Sequence, residues 1–500
     1  MYYQISGNAI KNNEESFIKT NDVVFVTIMA IISATLYFCL AESTSIYLVI
    51  IAIPLCLYDR SFVFPMLLTI ALCQGAFEEA EVTTSGATQT TDFSESLILA
   101  AVSPMLLYDL TRDKMSRVVP YRFVLFFVVF LLFIFQGVII YYQYPQNYQA
   151  LIQVHAKWSP VLHSIMKSIK VVFYIFYVRV LINNPLKKNL RTLEVTRRFI
   201  PFVLIVLALN LLVNGRAQSG AGYQDTLQMG DAHHGSYTTQ LCALSIYCFI
   251  TFFRSKVTLA TRGFALLAIA AVAFAILEMG SRNGLLCFAL ICLAGFILNM
   301  SGKSLDYKTL WTVLAFCGAV ITAAVAYNSP TVQRAIYMTE QEGGGDRVYY
   351  WEAGFKSLES HPIFGMGGDE SASSAAVAMY APAGTEDKVM HNTYMEMAVE
   401  YGIFGLFFYL SLVFFTFFWG YKLYKYALAN GNLLIAGPPI SYFILMTGAF
   451  FVSDVWDTSI WYNQAMIFAL AIQLVYYAYI SRKKVSTKST FGQYFSGVYN

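Results

Sequence analysis

The sequence predicts an all-α polytopic membrane protein with about 12–14 transmembrane helices, and three observations carry that prediction. Hydrophobic residues fill 57% of the 500 positions and charged residues only 13%, with a mean hydropathy of +0.55, which is the composition of a chain solvated by lipid. The apolar residues fall in long blocks, many approaching the roughly 20 residues needed to cross hydrocarbon, rather than in the half-polar stripes of a soluble helix. The basic residues collect in alternate connections between those blocks.

Taken in order, apolar runs begin near residues 23, 44, 62, 97, 121, 159, 199, 237, 263, 283, 309, 401, 433 and 459; the second to fourth are short. The first 22 residues carry Lys11, Glu14, Glu15 and Lys19 without a cleavable signal pattern, so the first run is expected to remain as an anchor. With a cytoplasmic N-terminus, the inside segments hold Arg112, Lys114, Arg117 and Arg122, then Lys187, Lys188, Arg191, Arg197 and Arg198, then Arg254, Lys256 and Arg262. Lys422, Lys425 and the C-terminal Arg482, Lys483, Lys484 and Lys488 also fall inside. Roughly 23 of the 33 basic residues are then cytoplasmic and about 7 external, the bias expected because basic loops resist translocation. The expected organisation is N-terminal helices over 1–200, a second membrane region over 201–480 with one large external loop at 328–394, and a cytoplasmic tail at 481–500.

The net charge of +3 is small and its basic residues are dispersed, so nucleic acid is not an expected partner. Cys39, Cys56, Cys73, Cys242, Cys248, Cys287, Cys292 and Cys317 all lie within apolar blocks without ligand spacing, and read as small core residues rather than disulfides or zinc ligands.

The scarce external cations are Arg216 in NGRAQSG, Arg282 in EMGSRNG and Arg347 in GGGDRVYYW, each near a helix end. Guanidinium groups suit the oxygens of a lipid-linked phosphate. The structural alternatives are that Arg282 snorkels and that Arg347 pairs with Asp346 or Glu352. In the sixth run His163, Lys167 and Lys170 share one helical face, with Lys167 roughly 12 Å below the outer end. Lysines at that depth should meet an anion, either a carboxylate such as Glu278 or a substrate phosphate. After the long loop, His391 stands at the mouth of an apolar helix with Glu396 and Glu400 following. It is either a proton acceptor at neutral pH or a passive interfacial histidine. Asp454 and Asp457 read as helix-capping acids, His233 and His234 as hydrogen-bonding loop residues in preference to metal ligands, and Gly343, Gly344 and Gly345 as a hinge or a plain linker.

The segment His391-Asn392, Glu396, Glu400, Gly402 and Gly405 resembles the O-antigen ligase/polymerase family, in which a histidine-asparagine pair, glutamates and a Gly-x-x-Gly helix close a large periplasmic loop. Trp351 to Gly368 resembles that family's tryptophan helix, proline turn and Gly-x-Gly loop; Ser281-Arg282-Asn283-Gly284 resembles its serine-arginine-glycine junction, with Asn283 where a second glycine is common. Arg216 stands where the family often has an arginine. The resemblance spans about residues 205–480. It implies a GT-C-type fold in a bacterial inner membrane and an undecaprenyl-diphosphate-linked glycan donor used without metal or other cofactor. The acceptor would be a glycan or lipid A core, with membrane lipid around the site and room for a chain-length regulator as partner. His391 would be the catalytic base, supported by Asn392, Glu396 and Glu400, and Arg216, Arg282 and Arg347 would engage the diphosphate, with Lys167 and Lys170 as deeper candidates. Polymerase, ligase and protein oligosaccharyltransferase share this machinery. A flippase or secondary transporter would also explain many helices, buried lysines and the Gly437-Pro438-Pro439 interruption, but no internal repeat supports it.

Overall fold

A computed structural model describes residues 54–56, 59–73, 128, 131–132, 160–217, 227–228, 234–254, 257–300, 347–367, 370–382, 390–451 and 459–475. The expected runs near 23, 97 and 309, nearly all of those near 44 and 121, and Gly343–Gly345, Asp346, His233, Asp454 and Asp457 lie outside them. The protein is an all-α polytopic membrane protein whose described residues add one two-residue antiparallel ladder, Arg216–Ala217 with Leu227–Gln228. The helices are α1 (Val63–Cys73), α2 (Pro160–Asn183), α3 (Leu186–Asn214), α4 (His234–Phe253), α5 (Leu259–Glu278), α6 (Arg282–Met300), α7 (Arg347–Ser360), α8 (Glu370–Tyr380), α9 (Thr393–Asn430), α10 (Gly437–Gly448) and α11 (Ser459–Val475).

Five of these, α3, α4, α5, α6 and α9, are long and apolar enough to cross a bilayer. The 24-residue α2 has the length, but Lys167, Lys170 and Arg179 interrupt its apolar sequence. Burial differs as packing requires: α4 is the hub, touching α3, α5, α6 and α10, whereas α5, α6 and α9 turn long apolar faces outward. Small residues allow the close approaches. A Cβ on Gly284 of α6 would stand 2.7 Å from the Thr238 side chain of α4, and one on Gly448 of α10 would stand 2.3 Å from Thr239, so the three helices meet at nearly backbone distance.

Two helices begin earlier than their apolar runs. The run near 199 is the second half of α3, whose first turns carry Lys187, Lys188, Arg191, Arg197 and Arg198, so these residues lie on helix rather than in a connection. With 29 residues α3 is ~43 Å long, more than the hydrocarbon needs, and its charged turns extend past it. They are held there: the Glu194 carboxylate accepts from Arg197, from Arg198 at 3.2 Å and from Arg254 at 2.7 Å, and Arg197 also donates to Thr251 at 3.3 Å. Likewise α9 starts at Thr393, not near 401, because Asn392 caps it by accepting from the N–H groups of Tyr394 and Met395 at 3.0 and 3.1 Å. Gly437-Pro438-Pro439 is a helix start, with proline at the first turn of α10, where its missing N–H costs no bond.

The real interruption is inside α9. Gly402 has φ 68 and ψ −166, a conformation essentially restricted to glycine, and it redirects the helix hydrogen bonds. The Val399 carbonyl accepts from Met366 N–H at 2.7 Å, the Glu400 carbonyl from Gly367 N–H at 3.1 Å, and Ile403 N–H donates to the Pro362 carbonyl at 2.9 Å. The turn at 361–367 therefore locks onto the break through backbone alone. A Cβ on Gly402 would fall 2.4 Å from the Ile363 oxygen. The described part of the long loop is thus ordered helix: α7 and α8 pack on each other and on the first turns of α9 around a small core of Tyr350, Met366, Ala372, Ala375, Ala376, Val377, Met390 and Val399.

Candidate active site at the head of α9

His391 is the residue just before the α9 cap, half-buried, with φ 48, the one described non-glycine residue in the left-handed region. Histidine tolerates that region better than most side chains, yet the conformation needs support. Asn392 behind it is fixed by capping, and Thr393 N–H donates to the Ala449 carbonyl at 3.0 Å. The imidazole lies 6.1 Å, centroid to centroid, from the buried ring of Tyr350 on α7. Tyr350 is one turn along α7 from Arg347, the helix's first residue, and i, i+3 spacing sets the two on neighbouring parts of one face.

The Ser281–Gly284 junction reaches the same place from the other side. Ser281 caps α6: its hydroxyl accepts from Gly284 N–H at 3.0 Å and from the Thr238 hydroxyl at 2.8 Å. Arg282 is then the first residue of α6, half-buried. Asn283 is buried and donates to the Thr239 hydroxyl at 2.8 Å and to the Gly448 carbonyl at 3.4 Å. Asn283 and Thr393 thus bind consecutive carbonyls, Gly448 and Ala449, at the end of α10. That shared anchor brings the Arg282 end of α6 beside the His391 end of α9.

The electrostatics of the two arginines are distinctive. A cation at a helix N-terminus opposes the macrodipole and is disfavoured by about 0.3–1 kcal/mol, so Arg282 and Arg347 stand where helix stability alone would not place them. The same two features, a positive helix end and a guanidinium, reinforce each other toward an anion. Glu352, one expected partner of Arg347, forms its 2.9 Å ion pair with Lys356. Glu396 and Glu400 are 2% and 1% exposed, one and two turns below the cap, and point into packing rather than open solvent.

The other expected residues are placed less closely. Arg216 directly follows Gly215, the C-cap of α3, and pairs with Gln228 in the ladder. Lys167 and Lys170 lie on α2; Lys170 is half-buried one turn before Tyr174, whose hydroxyl donates to Gln464 at 2.8 Å. Gln464, on α11, donates in turn to the Thr416 hydroxyl of α9, also at 2.8 Å, so this stretch of α2 is tied through α11 to the middle of α9. Among the described residues no three His, Cys, Asp or Glu side chains form a group suited to a metal ion. Thr238, Thr239 and Tyr350 were not singled out from sequence. The serine before an apolar run was a readable capping signal, but the threonine pair and the tyrosine acquire meaning only through helix contacts.

Residues 266–410 match the O-antigen ligase family model. The matched segment holds α6, α7, α8, the break at Gly402 and the His391 cap, which are the elements that build the site. It supports the resemblance to the O-antigen ligase/polymerase family and a place among enzymes of surface-polysaccharide biosynthesis. No curated protein matches the chain significantly.

Proposed function

We propose that the protein is a polymerase-type glycosyltransferase that moves a glycan from undecaprenyl diphosphate to a sugar hydroxyl at the periplasmic face of a bacterial inner membrane, with both termini cytoplasmic. The observation that carries this reading is the convergence of His391 with two arginine-bearing helix starts. His391 removes the proton from the acceptor hydroxyl as its oxygen bonds to the anomeric carbon, and the bond from that carbon to the diphosphate oxygen breaks. Charge develops on the departing diphosphate, so it needs electrostatic stabilisation more than protonation. Arg282 and Arg347, aided by Arg216 and the two helix ends, supply preorganised positive charge of the kind worth several kcal/mol in a transition state, which makes a metal unnecessary. Single displacement inverts the anomeric configuration. Asn392 holds the histidine backbone, and buried Glu396 and Glu400 set the local field beneath it.

The second reading is a ligase that transfers finished glycan to lipid A core, favoured by the name of the matched family. The test is gel profiling of surface glycan in a deletion strain complemented with wild type, His391→Ala or Arg282→Ala, with membrane levels checked. Single repeat units on core in the deletion, and failure of His391→Ala to restore long chains, support the polymerase. Bare core with accumulating lipid-linked long chains makes it a ligase. Full rescue by His391→Ala removes the catalytic assignment.

A further inference from the structure

The α9 helix carries its own depth scale. Near its C-terminal end Lys422 lies over the rings of Phe418 and Trp419 at 4.0 and 4.7 Å, and Lys425 over Tyr421 at 4.6 Å, the aromatic and basic belt of a membrane-water boundary. Counting back about 20 residues, the span of the hydrocarbon, reaches Gly402. Between these limits the outward face of α9 is apolar throughout: Ile403, Phe404, Phe407, Leu410, Phe414 and Phe415 are all exposed. Gly402 is therefore at the hydrocarbon boundary on the His391 side, and the 361–367 turn, bonded to α9 at Val399, Glu400 and Ile403, lies at that depth.

That turn presents Pro362, Ile363 and Phe364 in succession, all exposed, with Ile363 at 52% and Phe364 at 51%. Three successive outward apolar residues are costly in water and gain by transfer into an apolar phase. Their backbone is tied to α9 at Ile403, so they continue its lipid-facing surface without a gap. We infer that Ile363 and Phe364 insert among the acyl chains of the leaflet on the His391 side, making the turn after α7 a membrane anchor rather than part of a loop suspended in solvent. Phe355, exposed on α7, extends the same surface toward the headgroups, while the exposed Lys356–Glu352 pair marks where water begins. The anchor would fix the height of α7, and with it Tyr350 and Arg347, against the membrane in which a lipid-linked anion must present itself.

The inference concerns lipid contact and does not depend on the proposed transfer reaction. The full chain is reconstituted in nanodiscs of phosphatidylethanolamine and phosphatidylglycerol with the photocrosslinker p-benzoylphenylalanine replacing Phe364, Ile363, Phe404 or Glu359 one at a time. Intact-mass analysis after irradiation reads lipid adducts. Adducts at Phe364 or Ile363 comparable with those at Phe404, and several-fold above those at Glu359, support the anchor. Adducts at both turn positions no higher than at Glu359, crosslinks to this chain or a second copy instead of lipid, or no adduct even at Phe404, overturn it.

Discussion

The two ends of α4 are held by opposite chemistry. At the Thr251 end, charges hold the helices: one carboxylate, Glu194, gathers Arg197, Arg198 and Arg254 from α3 and the chain after α4, and Arg262 donates to the Arg254 carbonyl at 2.9 Å. At the Thr238 end, neutral groups do the holding, through Thr238 with Ser281 and Asn283 with Thr239 and Gly448, while the arginines stand at helix starts. Ion pairs resist separation but neutralise their members. The neutral contacts fix the starts of α6 and α9 while adding no charge of their own beside Arg282. The two kinds of anchoring stand about 20 Å apart along α4, and on the proposed function the Thr238 end is the chemical one.

That separation is open to direct attack. The largest effect is expected at the break in α9: Gly402→Val, placed where φ 68 and a 2.4 Å contact with the Ile363 oxygen exclude a side chain, should release the 361–367 turn and abolish both thermal stability and glycan synthesis. Next is the structural end. Glu194→Gln leaves the buried Arg197 without its carboxylate and should cost on the order of 3–5 kcal/mol, read as a lower melting temperature in detergent and lower membrane levels. At the chemical end Arg282→Ala should do the reverse, leaving melting nearly unchanged, since a cation at a helix start contributes little to stability, while chain synthesis falls sharply. If Arg282→Ala melts as early as Glu194→Gln, the two ends are not chemically distinct and the arginine is structural.

The membrane class, the spans near 237, 263 and 283 and the residues at helix mouths were legible because hydropathy and charge act locally along the chain. The starts of α3 and α9 were not, since a hydropathy window sees where lipid begins and a helix can continue beyond it: charged turns extend α3, and the Asn392 cap sets the beginning of α9. The sequence placed His391, Arg282 and Arg347 near one surface. What brings the first two together is the pair of adjacent carbonyls at Gly448 and Ala449, in a segment otherwise notable only as an apolar run. Tyr350 was hidden for the same reason: nothing in GGGDRVYYW distinguishes the tyrosine that faces a histidine 41 positions later from the exposed Tyr349 before it. Likewise the Gly-x-Gly of the Trp351–Gly368 motif was legible only as part of a family resemblance, and in the fold its glycines let backbone meet backbone at the α9 break.

The smallest expected effect is the most informative about how the histidine is held. Asn392 accepts from two N–H groups at the start of α9, and removing such a cap costs about 1 kcal/mol, too little to unfold a bundle of this size. Its loss nevertheless falls on the residue immediately after His391, whose φ of 48 is maintained only if the chain on both sides is fixed. Asn392→Ala should therefore lower melting by only a few degrees, yet reduce chain synthesis well beyond that loss, because the imidazole no longer keeps one position relative to Tyr350 and Arg282. Asn392→Asp and Asn392→Ser supply side-chain oxygens that cap as well as asparagine does, and both should restore synthesis if capping is the whole role. Rescue by serine but not by aspartate would instead show that a carboxylate beside the diphosphate is repelled, placing Asn392 close to the leaving group. Failure of both would mean that the amide itself touches substrate, and the site would then extend from His391 onto the helix cap.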